Sequence, residues 1–78
     1  INLSKIKIKL IFKWLKKNNI SDPEMIRTFN CGVGFCIIVN KKNIKKIKKF
    51  FTKEYQPYEI GYISEEKVKF RTTGKLQW

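Results

Sequence analysis

Hydrophobic and polar positions change their spacing several times along this chain, and each change marks an element. Residues 3–8 alternate polar and apolar, as in a short strand or an extended lead-in. Across residues 10–19, Ile11, Trp14 and Leu15 recur at helical spacing. Lysines gather towards the far end of that segment, where the helix dipole favours cations, and Asn18 and Asn19 stop it. Ser21-Asp22-Pro23-Glu24 then reads as a helix start: Ser21 caps, Pro23 sits in the first turn where a missing N–H costs little, and Glu24 follows three residues after the cap. This second helix is expected to run to about Phe29. Asn30 and Gly32 tolerate the left-handed backbone that ends helices. Residues 34–39 are almost wholly apolar and predict a strand buried in the core.

A third helix is expected to open within residues 40–43. Ile44, Ile47, Phe50 and Phe51 form one apolar face, and Lys45, Lys46, Lys48, Lys49 and Lys53 cover the rest. Gln56-Pro57 ends it. Residues 58–63 and 67–72 read as two strands joined by Ser64-Glu65-Glu66, a connection short enough for an antiparallel hairpin. Residues 73–78 form a tail without a pattern. The order predicts an α+β fold, a small mixed sheet of about three strands with helices packed on it. If the strands of residues 34–63 lie parallel, the helix between them crosses over right-handed.

At 78 residues the chain makes one domain at most, and a domain of this size buries a modest core. No apolar run approaches the roughly 20 residues of a membrane span, and no membrane partner is expected. The net charge is +12, which suggests a polyanion partner. However, only Arg27 and Arg71 are arginines; the other basic residues are lysines, which lack the planar fork used for base readout and bidentate phosphate contacts. The charge therefore reads as a solvated lysine surface with weak, salt-sensitive affinity for polyanions, and no specific nucleic-acid partner is expected. The alternative is a small basic module that uses this surface to bind nucleic acid. Cys31 and Cys36 are five apart, would point to opposite faces of a strand, and read as reduced thiols of a cytoplasmic protein.

Self-sufficient catalysis has little to work with. The chain has no histidine and only six carboxylates. Asp22 and Glu24 have a local role at a helix start, and Glu65 and Glu66 fall in a turn. Magnesium–nucleotide chemistry needs carboxylates set beside phosphates. Gly32-x-Gly34 is too short for a dinucleotide or Walker loop. What remains is the turn at residues 28–34. Thr28 and Asn30 offer short polar groups, Gly32 and Gly34 allow close approach to the backbone, and Arg27 adds a cation.

Several ordered motifs resemble one family. Ile11-Phe12-Lys13-Trp14-Leu15 is similar to an Ile/Val-Phe-x-Trp-Leu helix. The run Glu24-Met25-Ile26-Arg27-Thr28-Phe29-Asn30-Cys31-Gly32-Val33-Gly34 is similar to a Glu-Met-x-Arg-Thr-Phe-Asn-x-Gly-Ile-Gly signature. Ile60-Gly61-Tyr62-Ile63 resembles a later Ile-Gly-x-Ile/Val segment, and Val68 and Phe70 resemble a closing strand. Together these motifs resemble the last part of the C-terminal domain of phosphoribosylformylglycinamidine cyclo-ligase, or aminoimidazole ribonucleotide synthetase. Lys9 departs from the pattern, standing where the family usually has proline.

The resemblance implies a partial synthetase domain at residues 1–72, followed by the 73–78 tail. The family closes an imidazole ring on formylglycinamidine ribonucleotide, using ATP and magnesium and releasing ADP and phosphate. By resemblance, Thr28, Asn30, Gly32 and Gly34 lie near the substrate cleft, and Trp14 and Phe29 belong to the core. The family's ATP-binding N-terminal domain and its His-x-Thr-Gly-Gly-Gly loop are not in these residues. The expectation is thus a fragment that holds no cofactor, does not catalyse alone, and either pairs with the missing N-terminal half or self-associates; the alternatives are the basic polyanion-binding module and a degenerate remnant without specific function.

Overall fold

The computed structural model describes residues 1–67 and 69–78. Helix α1 spans Leu10–Lys16, α2 spans Asp22–Thr28 and α3 spans Ile44–Lys48. Short 3-10 turns occupy Leu3–Lys5, Lys41–Asn43 and Lys53–Tyr55. Both N-terminal helices follow their local signals. Helix α1 ends at Lys16; the Asn18 amide then donates to the carbonyls of Trp14 and Leu15, both at 3.3 Å, and Asn19 turns the chain away at φ 59°. Helix α2 starts at Ser21, whose hydroxyl accepts the Glu24 N–H at 3.4 Å, with Pro23 in the first turn.

The core is small. Leu3, Met25, Cys31 and Leu76 are buried, and Ile6, Phe12, Leu15, Ile20, Phe29 and Trp78 pack against them. Met25 is fully enclosed at the middle of α2. Phe12 of α1 meets Phe29 just beyond α2, with ring centroids 6.2 Å apart. Phe29 therefore belongs to the core as expected, whereas Trp14 is 61% exposed and does not. The half-buried stripe of α1 runs through Phe12 and Leu15; of the face expected at Ile11, Trp14 and Leu15, Leu15 packs on the core while Ile11 and Trp14 are exposed.

The expected three-stranded sheet is overturned. Among the described residues there is no named strand, only an isolated parallel bridge between Asn2 and Thr73. Residues 3–5 coil into a 3-10 turn, capped by the Asn2 side chain, instead of extending as a strand. Residues 34–39 are not a buried strand: Phe35 is 85% and Ile38 79% exposed. The hairpin expected at residues 58–63 and 67–72 shows no ladder among the described residues, and Val68 lies outside them. The physical reason is coverage. A strand needs a backbone partner along its edge and a packed layer on its face. Tyr62, Ile63 and Phe70 face outward here, so no layer rewards pairing. Helix α3 is likewise shorter than its lysine-rich pattern suggests, and Phe50 stands outside it, mostly exposed.

The N-terminal segment ties these stretches together. The Asn2 N–H donates to the Ile60 carbonyl at 2.7 Å, and the Leu3 N–H to Thr73 at 2.8 Å. Thr73 donates back to Ile1 at 2.9 Å, while the terminal amine of Ile1 donates to the Arg71 carbonyl at 2.8 Å. The tail then folds onto the core. Leu76 is buried, and the Trp78 indole donates to Asp22 Oδ1 at 2.9 Å.

Candidate functional site

Helix α2 delivers its C-terminal end into a tight turn at residues 30–33. The Val33 N–H donates to the Asn30 carbonyl at 3.0 Å, closing the turn, and the Gly32 N–H donates to Asn30 Oδ1 at 3.0 Å. The two central residues carry the left-handed backbone: Cys31 at φ 52° and Gly32 at φ 109°. Asn30 supplies the hydrogen bonds, and Cys31 takes the conformation expected of Asn30. A cysteine pays steric strain there. Its compensation is burial at 3% exposure, with the thiol placed 3.7 Å from the Met25 carbonyl and 3.8 Å from that of Phe29. Burial pushes the Cys31 thiol pKa up, and the nearby Asp22 charge adds to the shift, which favours the thiol over the reactive thiolate. Cys36 is exposed, and neither cysteine is bridged.

Gly32 is where the turn meets the lead-in. A Cβ on Gly32 would stand 2.9 Å from the Lys7 carbonyl oxygen and 3.1 Å from Lys9 Cγ. Only glycine fits that approach at this φ. Gly34 has no such constraint; its Cβ would meet open space.

The four residues expected at a substrate cleft do not share one cavity. Thr28, exposed, donates its hydroxyl to Glu24 Oε1 at 2.7 Å, and Arg27 pairs with Glu24 Oε2 at 2.6 Å, so both are held along α2. Asn30 borders an apolar cavity of about 170 Å³ that Leu3, Phe29, Cys31 and Ile60 help line. Gly32 borders a different cleft of about 340 Å³, beside Lys7, Lys9, Lys53 and Tyr58. Gly34 is exposed beside neither.

The basic residues of the larger cleft were not singled out as site residues from sequence. Lys7 and Lys9 lie two apart in an extended segment, a spacing that puts both on one side. That signal exists locally. What joins them to Lys53 and Tyr58 is tertiary: the Lys7 N–H donates to Tyr58 Oη at 3.2 Å, and the Lys7 ammonium stands 4.7 Å from the Tyr58 ring centroid.

The chain's own donors do not fit magnesium–ATP. Asp22 is engaged by Lys16 at 2.7 Å and by Trp78, Glu24 by Arg27, and Glu66 by Arg71 at 3.2 Å. Among the described residues no three His, Cys, Asp or Glu side chains converge. No step through a metal–triphosphate is derived from these residues. Among them, too, no helix is long and apolar enough to cross a membrane.

Comparison with known proteins places the chain. Phosphoribosylformylglycinamidine cyclo-ligase of Methanococcus maripaludis is 53% identical over 57 residues, covering 70% of this chain and 16% of that protein. The cyclo-ligase of Methylobacillus flagellatus is 44% identical over 55 residues, covering 68% of this chain and 16% of that protein. The trifunctional purine biosynthetic protein adenosine-3 of Gallus gallus is 41% identical over 58 residues, covering 73% of this chain and 6% of that protein. The chain thus spans 16% or less of the length of these relatives. No solved structure matches it. The family described as AIR synthase related protein, C-terminal domain, matches residues 3–73, so the chain belongs to that family and carries sequence of its C-terminal domain.

Proposed function

We propose that this chain is a fragment of the C-terminal domain of a phosphoribosylformylglycinamidine cyclo-ligase, the ATP-dependent enzyme that converts formylglycinamidine ribonucleotide to aminoimidazole ribonucleotide. It works in the cytoplasm, in purine biosynthesis, and is not catalytic alone. Thr28, Asn30, Gly32 and Gly34 are its substrate-side residues. ATP and magnesium are held by the remainder of the enzyme, which is also its partner; absent that partner, the chain associates with itself. The observation that carries this reading is the Thr28–Gly34 signature, three of whose named residues are exposed around a hydrogen-bonded turn. Thr28, Asn30 and Gly34 are thereby available to a ligand or to a second polypeptide.

The test is ring closure with ATP, assayed for this chain alone and after mixing with a separately produced N-terminal part of the enzyme. Activity only on mixing is expected. Activity of the chain alone, or no activity from a mixture in which the two parts bind each other, overturns the reading.

A further inference from the structure

Residues 37–55 set concentrated positive charge beside exposed apolar side chains. No acidic residue occurs between Glu24 and Glu54. Lys41, Lys42, Lys45, Lys46, Lys49 and Lys53 are exposed, and none has a carboxylate within 4.0 Å among the described residues, although Lys16, Arg27 and Arg71 elsewhere all do. The apolar face of the same segment lacks cover. Ile44 and Ile47 are half-buried, but Phe50 is mostly exposed, as are Ile38 just before the lysines and Tyr55 after them. Local hydrogen bonds nonetheless keep the segment folded. The Asn40 side chain accepts the Lys42 N–H at 3.1 Å, and the Gln56 amide donates to the carbonyls of Lys48 at 3.1 Å and Phe51 at 2.8 Å. An ordered platform thus presents unpaired cations and bare apolar groups together.

We infer that this platform docks on the surface of an anionic phospholipid membrane. Charge complementarity requires an anionic occupant, and the chemistry of the side chains chooses among anions. Lysines attract acidic headgroups as point charges and need none of the planar geometry that arginine brings to nucleic-acid readout. Apolar side chains beside a basic face are what an interfacial segment sinks into the boundary between headgroups and acyl chains. A single-stranded nucleic acid would stack on Phe50 and Tyr55 but gains nothing from a bare Ile38. The headgroup boundary accepts all three. The chain lies on such a surface and does not cross it, since no helix among the described residues is long and apolar enough to span. This inference goes beyond the cyclo-ligase reading and does not depend on it.

The experiment is flotation of the intact chain with vesicles at physiological ionic strength, in which only vesicle-bound chain rises. Its probes are phosphatidylcholine vesicles with about one-third phosphatidylserine, vesicles of phosphatidylcholine alone, and soluble polyadenylate and polyglutamate as competitors. Saturable binding to the mixed vesicles is expected, at least about tenfold weaker without the anionic lipid. Lys42→Gln/Lys45→Gln/Lys49→Gln is expected to weaken it about 100-fold, taking roughly fivefold per lysine. Lys5→Gln/Lys17→Gln/Lys69→Gln removes the same charge elsewhere and is expected to stay within about threefold. Ile38→Ser/Phe50→Ser leaves the charge intact and is expected to cost about tenfold, because the inserted apolar area is lost. Every substituted residue is exposed, so no variant removes core. Equal losses in the two lysine variants, no loss in Ile38→Ser/Phe50→Ser, or tighter binding to either soluble polyanion than to the mixed vesicles overturns the inference. Vesicle binding is also expected to persist once the separately produced N-terminal part of the enzyme is bound; its loss would give this surface to that part and overturn the inference. Ring closure on mixing with no vesicle binding would reject this inference alone. Vesicle binding without ring closure would reject only the cyclo-ligase reading.

Discussion

At the scale of single residues, two glycines of one signature have different jobs. Gly32 stands at φ 109° with the Lys7 carbonyl where its Cβ would go, whereas Gly34 faces open space. Gly32→Ala is expected to destabilise the chain by about 1–3 kcal/mol, the scale of strained backbone positions. Gly34→Ala should stay within about 0.5 kcal/mol, as surface changes do. Thermal melts of the two variants check this contrast, and equal losses would refute it. Asp22 makes a second residue-scale prediction. The Lys16 hydrogen bond holds its carboxyl below the ordinary 3.8, helped by the Trp78 indole and opposed by partial burial. A lowered folded value means the contribution is complete above the ordinary carboxylate range and fades as pH falls through the lower folded value. The side chain is 40% exposed, so screening limits that contribution to less than about 1 kcal/mol. Trp78 fluorescence followed below pH 4 should show a transition that Asp22→Asn abolishes; a transition unchanged in the variant would assign it to another group.

At the scale of elements, the helices and the tail support one another. Helix α2 contributes Met25, the one fully enclosed side chain among the described residues, and its first residue, Asp22, receives both Lys16 from the end of α1 and Trp78 from the tail. The Lys16 ammonium also donates to the Ile20 carbonyl at 2.6 Å and lies 5.6 Å from the Trp78 ring, so three elements meet at one ion pair. The tail showed no pattern in sequence because its two useful residues act at a distance. Leu76 fills the core, and Trp78 reaches back 56 residues. Deleting residues 75–78 therefore removes one of the four side chains buried among the described residues. It should cost about 2–5 kcal/mol, as large-to-small core changes do. Protection of α2 amides from hydrogen exchange is the readout. Unchanged protection would mean that the tail only rests on the surface.

At the scale of the whole molecule, the chain leaves too much surface open. Its accessible area is 7169 Å², where a compact monomer of this mass is expected to show about 5,000 Å². The radius of gyration is 14.2 Å against about 11.5 Å for a compact domain of this length. The excess is more than double the roughly 800 Å² that one partner contributes to an ordinary interface. Phe35, Ile38, Tyr62, Ile63 and Phe70 carry much of it, on the segments where a sheet was expected. Sedimentation of the chain alone should show mass rising with concentration, and addition of the rest of the enzyme should replace those species with a defined heterocomplex. A monomer at every concentration that binds no hydrophobic dye would contradict this.

What the sequence determined by itself is local or inherited. The end of α1 and the start of α2 follow from Asn18, Asn19, Ser21 and Pro23, because capping bonds span three or four residues and need nothing further away. The family was legible from ordered motifs for the same reason: they are contiguous runs. That no sheet forms among the described residues was not legible, because alternation and apolar runs report only the tendency of a segment to be extended. Pairing requires a second backbone and a covered face, and the described residues bring neither to residues 34–39. Tertiary structure alone decided that Cys31 takes the left-handed turn, that Gly32 closes on Lys7, that Tyr58 holds the lysine cleft, and that Trp78 returns to Asp22. Each of these depends on which distant atoms arrive at a position, and a one-dimensional pattern records no such distance.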